Sequence, residues 1–252
     1  MKRKEIVSLV TILFILIIPL IANNSSKSSA LENFKPVIVL VERNPWLMVI
    51  GSDSPVFALY NNGTLIYYEK DKGYFSSKLN KEQMIKYIPN KNFKKLKTYY
   101  STSDWTDQPT NTIYFWENNI KYSVTVYGSL RKAKEERKKT PKEFLEIYDK
   151  LIKKVNYKGA KWLPKYLEVM IWPFEYSKDN PIKWPSNWPN LKHNMTKKRG
   201  KGSYSLYLDS KYFNDLVKFM KNKRPTQAVL IGNKKYAVSY RYPFPKEGMW
   251  MK

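Results

Sequence analysis

The sequence predicts an α+β protein. It reads as two related modules of antiparallel β-hairpins with one amphipathic helix each, plus a connecting helix, behind an N-terminal signal or anchor helix. Three observations predict this. Short β-branched and aromatic runs are separated by tight-turn pairs such as Asn62-Gly63. Several stretches carry apolar residues at helical spacing behind a capping residue. The order strand, capped helix, hairpin occurs twice. The organisation is a signal peptide or membrane anchor over residues 1–30, a first module over 31–157 and a second over 158–252.

The leader opens with Lys2-Arg3-Lys4 before an apolar run, Ile6–Ala22. A basic start and an apolar stretch are the features that export machinery reads. The run of 17 residues suits a short membrane span. Pro19 and the small residues Ser28-Ser29-Ala30 suit cleavage near Ala30. Two readings stay open: release after cleavage, or tethering by a single helix through residues 6–22. Both place residues 31–252 outside the cytoplasm, in the periplasm or at the cell surface, because the basic start stays inside. The chain has no cysteine, so neither a lipidated cysteine nor a disulfide is expected.

In the first module, Pro36–Glu42 is a β-branched run and predicts a buried strand. Trp46–Gly51 and Pro55–Tyr60 are further strand candidates, and Asn61–Thr64 turns the latter into Leu65–Glu69. Asn80 caps a helix over Lys81–Ile88, which Pro89 stops. Ile113–Trp116 and Tyr122–Tyr127 form a hairpin about Asn118-Asn119. Thr140-Pro141-Lys142-Glu143 reads as a capping box for the connecting helix. That helix runs to about Val155, with Phe144, Ile147, Tyr148 and Leu151 on one face.

In the second module, Trp162–Ile171 predicts a strand, followed by a Pro/Trp/Asn-rich loop to about Arg199. Ser203–Leu208 alternates as a strand, Asp209 caps a helix over Ser210–Lys221, and Gln227–Ile231 pairs with Tyr236–Tyr242 about Gly232-Asn233. The repeat aligns Gly73–Lys81 with Gly202–Ser210, and Pro109–Gly128 with Pro225–Pro243.

Within the first module, Ser54-Pro55-Val56-Phe57, Asn62-Gly63-Thr64, Leu79-Asn80-Lys81-Glu82, Asp107-Gln108-Pro109-Thr110 and Tyr127-Gly128 stand in order. These residues resemble a bacterial exported domain family of unknown function. Its pattern is a Gly-x-Cys-Pro-x-Tyr start, an Asp-Gly-Thr hairpin, a Leu-Ser-x-Glu cap, an Asp-x-Pro-Thr segment and a Tyr-Gly close. The resemblance covers about residues 50–155, and Ser54 stands where the pattern has a cysteine. It implies an exported context and a fold, and no activity.

The formal charge is +25. Removing residues 1–30 takes away four basic residues and one acidic residue, which leaves about +22. Such a surface attracts an anionic envelope polymer or an acidic protein partner. Only seven of the 46 basic residues are arginine. Nucleic-acid readers favour the arginine fork, so nucleic acid is not the expected partner. The run Arg131–Lys139 contains Glu135 and Glu136 and reads as a solvated helix face. Lys197, Lys198, Arg199 and Lys201 read as a loop before a strand and are the expected anion contact.

Catalytic types are scarce. His193 is the single histidine, and no metal-ligand spacing, nucleophile elbow, phosphate loop or dinucleotide fingerprint occurs. No metal and no cofactor are expected. Trp172-Pro173, Trp184-Pro185 and Trp188-Pro189 fall within eighteen residues. Proline stiffens such a loop and holds aromatic faces, either for binding or to seal a core. Trp172, Trp184 and Trp188 join the basic residues as expected binding residues. The leading functional expectation is a non-enzymatic envelope binding protein. One alternative is a glycan-active enzyme using Asp104 and Asp107, which flank Trp105. Another is an inhibitor or immunity-type protein.

Overall fold

A computed structural model describes residues 34–47, 49, 51–153 and 158–251. The leader expected over residues 1–30 lies outside the described residues, as does the predicted end of the connecting helix near Val155. No helix among the described residues is long and apolar enough to cross a membrane.

The run Pro36–Arg43 forms β1, near the middle of an eight-stranded sheet. With it stand β2 (Phe57–Tyr60), β3 (Thr64–Glu69), β4 (Gly73–Lys78), β5 (Tyr99–Ser101), β6 (Thr110–Glu117), β7 (Ile120–Tyr127) and β8 (Ala160–Lys161). Their spatial order is β5-β7-β6-β1-β2-β3-β4-β8. The second sheet takes β9 (Tyr166–Pro173), β10 (Ile182–Lys183), β11 (Thr196–Gly200), β12 (Ser203–Asp209), β13 (Val229–Ile231) and β14 (Lys234–Arg241). Its order is β10-β13-β14-β9-β12-β11. The helices among the described residues are α1 (Lys81–Ile85), α2 (Lys134–Lys139), α3 (Lys142–Ile152) and α4 (Phe213–Asn222). Residues 34–252 belong to one compact unit.

This architecture corrects the α+β expectation of hairpin modules with one helix each. The described chain is mostly sheet, and both sheets are mixed, because β5 runs parallel to β7 and β10 parallel to β13. The sequence missed the edge strands β5, β8, β10 and β11 for a physical reason. Edge strands pair through the backbone, so Tyr99-Tyr100-Ser101 and Thr196–Gly200 need no apolar alternation to join a sheet. Helices α1 and α2 bury no residue and add no core layer. The repeated order is also wired differently. Hairpin β6–β7 joins the central strand β1 through β6, whereas β13–β14 joins β9 through β14. A shared local pattern does not specify which strand of a hairpin meets the sheet.

Strand parity sets the layers. Ile38, Leu40, Phe57, Leu59, Leu65 and Tyr67 face α3, which buries Phe144, Ile147, Tyr148 and Leu151 against them. Each such side chain contributes roughly 1.5–3 kcal/mol by leaving water. Val39, Val41, Ala58, Tyr60 and Ile66 point the other way, onto Phe244 and Trp250 of the chain end. The second sheet packs Leu167, Val169, Ile171, Leu206 and Leu208 with Leu216 of α4. Its opposite face carries Glu168, Ser205, Ser239 and Arg241. From that face the Ser239 hydroxyl meets the Ser52 hydroxyl at 2.9 Å, and Tyr242 N–H donates to Ser54 Oγ at 2.8 Å.

Local signals explain the strongest elements. Asn80 accepts from Gln83 N–H and the Gln83 side chain accepts from Asn80 N–H, both at 2.9 Å, which closes the capping box of α1. Gly63 turns β2 into β3 at φ +82°. The box expected at Thr140 does not form. The Thr140 hydroxyl donates instead to Glu136 O, at the end of α2. Two further expectations change. The described residues of Trp46–Gly51 are turn, bend or irregular, and Trp162–Lys165 is irregular, so the strand starts at Tyr166, beyond Pro164.

Candidate functional site

The structure separates the residues that sequence reading grouped. Trp184 and Trp188 are 9% and 6% exposed and meet edge to face at 5.0 Å, both against Phe219 of α4. Trp184 Nε1 donates to Pro189 O at 2.9 Å, so the Trp-Pro loop closes the core of the second sheet. Trp172 follows Ile171 in β9 and therefore points to the opposite face. The stretch expected as a basic loop is largely a strand: Lys197, Lys198 and Arg199 lie on β11, an edge of the second sheet, and Lys201 is in the turn after it. Lysine on an open edge discourages pairing with another chain. Arg199 turns inward, to Glu168 at 3.3 Å and to Tyr207 at 3.0 Å.

Asp104 is exposed and pairs with Lys139 at 3.1 Å. Asp107 is exposed in a turn at φ 55°. Asp107 lines a cleft that Asp104 does not, so the two carboxylates do not face one another across a common site. His193 is exposed, and its Nδ1 accepts from Met195 N–H at 3.1 Å. Among the described residues no group of three His, Cys, Asp or Glu side chains could hold a metal ion.

A concavity lies at one end of the first sheet, beside the C-terminus of α3. Its floor is Glu42 at the end of β1. Tyr148 Oη donates to Glu42 Oε1 at 2.6 Å, and Arg131 Nε lies 2.9 Å from both carboxylate oxygens. Burial, and then the Glu42 charge, pushes the Tyr148 phenol well above its ordinary range. Burial opposes the charge on Arg131, but Glu42 outweighs it and the guanidinium is held more firmly protonated.

Two depressions of about 680 and 550 Å³ meet there, sharing Glu42, Val56, Arg131 and Lys132. The larger extends past Tyr68, Lys70, Lys72 and Lys153, and the smaller past Arg43, Trp46, Asp107 and Gln108. Glu42 is paired with Arg131, and Glu69 with Lys72 at 3.1 Å. Lys70, Lys132 and Lys153 are exposed and carry no ion pair among the described residues. Trp46 stands 74% exposed on the rim. The trough therefore combines three unpaired ammonium groups and the Asp107 carboxylate with an exposed aromatic face.

Sequence reading missed this site because Glu42 and Arg131 are 89 residues apart. One signal was available. Arginine is scarce in this lysine-rich chain, and Arg131, Arg137, Arg199, Arg224 and Arg241 all form ion pairs. The rigid fork serves fixed pairs, while lysine supplies the solvated charge.

No protein-family model matches the chain, and neither a curated protein nor a solved structure matches it significantly.

Proposed function

We propose that residues 34–252 form the extracytoplasmic part of an exported, non-enzymatic binding protein, and that its ligand is an anionic polymer held along the Arg131–Lys132 trough. The observation that carries this reading is the trough itself, where the Glu42 and Glu69 carboxylates are neutralised and Lys70, Lys132 and Lys153 are not. Ammonium groups set along a concave wall raise the local potential and the local concentration of an anion. The exposed Trp46 adds a face that can pack on a flexible chain. The leader sequence supports export, with the protein either released near Ala30 or held by residues 6–22.

The test is a charge reversal matched for net charge. Lys70, Lys132 and Lys153 are changed to Glu together, and a control carries Lys192, Lys218 and Lys221 changed to Glu. The trough variant should elute from a polyanionic resin at clearly lower salt than the control. Equal elution of the two would show that net charge alone governs retention and would sink the reading.

A further inference from the structure

A second concavity, of about 410 Å³, lies on the other sheet. Tyr166 at the start of β9, Tyr207 on β12, Tyr212 in the turn before α4 and Trp188 from the Trp-Pro loop supply its aromatic wall. A lysine ammonium stands near each tyrosine ring: Lys165 at 5.2 Å from Tyr166, Lys197 at 5.4 Å from Tyr207 and Lys211 at 5.1 Å from Tyr212. Asn187, Asn190, His193 and Asp209 complete the lining with neutral and acidic polar groups. Asp209 Oδ1 accepts from Lys211 N–H at 2.9 Å, and Oδ2 has no partner among the described residues.

We propose that this cleft is a subsite for one residue of a carboxylated sugar polymer. The inference rests on the anionic-polymer reading for the charge of the ligand and names its chemistry. A sugar presents an apolar ring face, hydroxyl donors and, in a uronate, one carboxylate. The tyrosines receive the ring face. The Asp209 carboxylate and the Asn187 amide accept from and donate to hydroxyls. The ammonium group of Lys211, the lysine that lines the cleft, holds the carboxylate, and Lys165 and Lys197 stand beside their tyrosine rings. A sugar offers hydroxyl donors to the Asp209 carboxylate, which the backbone of a deoxynucleotide chain does not, so the lining favours a ligand rich in hydroxyls.

The probe is tetragalacturonate titrated into the full-length chain, followed by calorimetry and by tryptophan fluorescence, since Trp188 lines the cleft. Maltotetraose tests the need for the carboxylate and a thymidine tetranucleotide tests a phosphodiester. Tetragalacturonate should bind more tightly than both. Tyr212→Ala and Asn187→Ala should each weaken it by about three- to tenfold, with unchanged far-ultraviolet circular dichroism. Tyr212→Phe should retain most of the affinity, because the ring remains. Lys91→Glu, which changes the charge equally at an exposed residue that lines neither concavity, should leave binding of the tetramer unchanged.

Absence of tetragalacturonate binding at millimolar concentration overturns the inference. Equal affinity for the tetranucleotide does so too, as does indifference to both Tyr212→Ala and Asn187→Ala. The two readings fail separately. Polymer retention that depends on Lys70, Lys132 and Lys153 but not on Tyr212 sinks this subsite alone. Tetramer binding that depends on Tyr212, with retention indifferent to the trough, sinks the trough alone.

Discussion

Glu168 on β9 and Arg241 on β14 pair across neighbouring strands with 2% and 6% of their surfaces exposed. One carboxylate oxygen of Glu168 accepts from Arg241, and the other from Ser205 and Arg199. Arg241 also reaches both oxygens of Glu247 at 2.8 Å. Glu247 lies in the chain end whose Phe244 and Trp250 cover the first sheet, so this network ties the second sheet to that cover. A buried ion pair adds little over a well-packed apolar substitute, but removing one partner strands the other in a dry site.

Arg241→Ala should therefore destabilise the protein strongly, by roughly 3–5 kcal/mol, because Glu168 and Glu247 both lose their main cation. Arg199→Ala, at a side chain half exposed to water, should cost far less. Urea unfolding of both variants checks this, and similar losses for the two would contradict the burial of the network.

The turn at Gly63 makes a second prediction. A Cβ there would fall 2.2 Å from Leu79 O, on a backbone at φ +82°. Gly63→Ala must therefore move the Leu79 carbonyl, whose own residue donates back to Gly63 O at 2.8 Å. It should lower the melting temperature more than Asn80→Ala, which removes one cap worth about 1 kcal/mol. Thermal melts of the two single variants decide the order.

Asp53 gives a pH dependence. Burial raises its carboxyl above 3.8, and the Asn44 N–H bond and the Arg43 charge only partly offset this. A carboxyl with a raised folded pKa favours the fold below its unfolded pKa, and that contribution is lost as pH rises through the folded value. Asp53→Asn keeps an acceptor for Asn44 N–H, which donates to Asp53 Oδ1 at 2.9 Å, and removes the buried charge. Relative to the native chain, the variant should gain stability between pH 3 and pH 7. A urea midpoint difference that stays constant over that range would refute the effect.

The phenols give a spectroscopic check. Burial, as the largest cause, pushes Tyr60, Tyr74 and Tyr148 far above the ordinary phenol range. Alkaline titration followed by tyrosinate absorbance should leave these residues protonated until the chain unfolds. Tyr148→Phe should remove one late-titrating phenol and the 2.6 Å bond to Glu42 while leaving the ring packed against Phe144.

Much of the local structure was legible. The Asn62-Gly63 and Asn118-Asn119 turns, the Asn80 cap and the apolar face of α3 were all read from residues a few positions apart, and each forms. The Trp-Pro loop was legible only as a choice between exposure and burial. The choice fell to burial for Trp184 and Trp188 because α4 presents Phe219 to both indoles. Lys197, Lys198 and Arg199 read as a loop because an edge strand carries no side-chain signature.

The sequence by itself determined the central strand runs, the Asn62-Gly63 and Asn118-Asn119 turns, the Asn80 cap and the basic surface, because propensity and periodicity act over a few residues. Tertiary structure alone decided how those pieces join. It set β5 parallel to β7 and β10 parallel to β13, and brought Glu168 to Arg241 across 73 residues and Glu42 to Arg131 across 89. Such pairings depend on which backbones meet after collapse and on which charges are then sealed from water, and no local pattern encodes either.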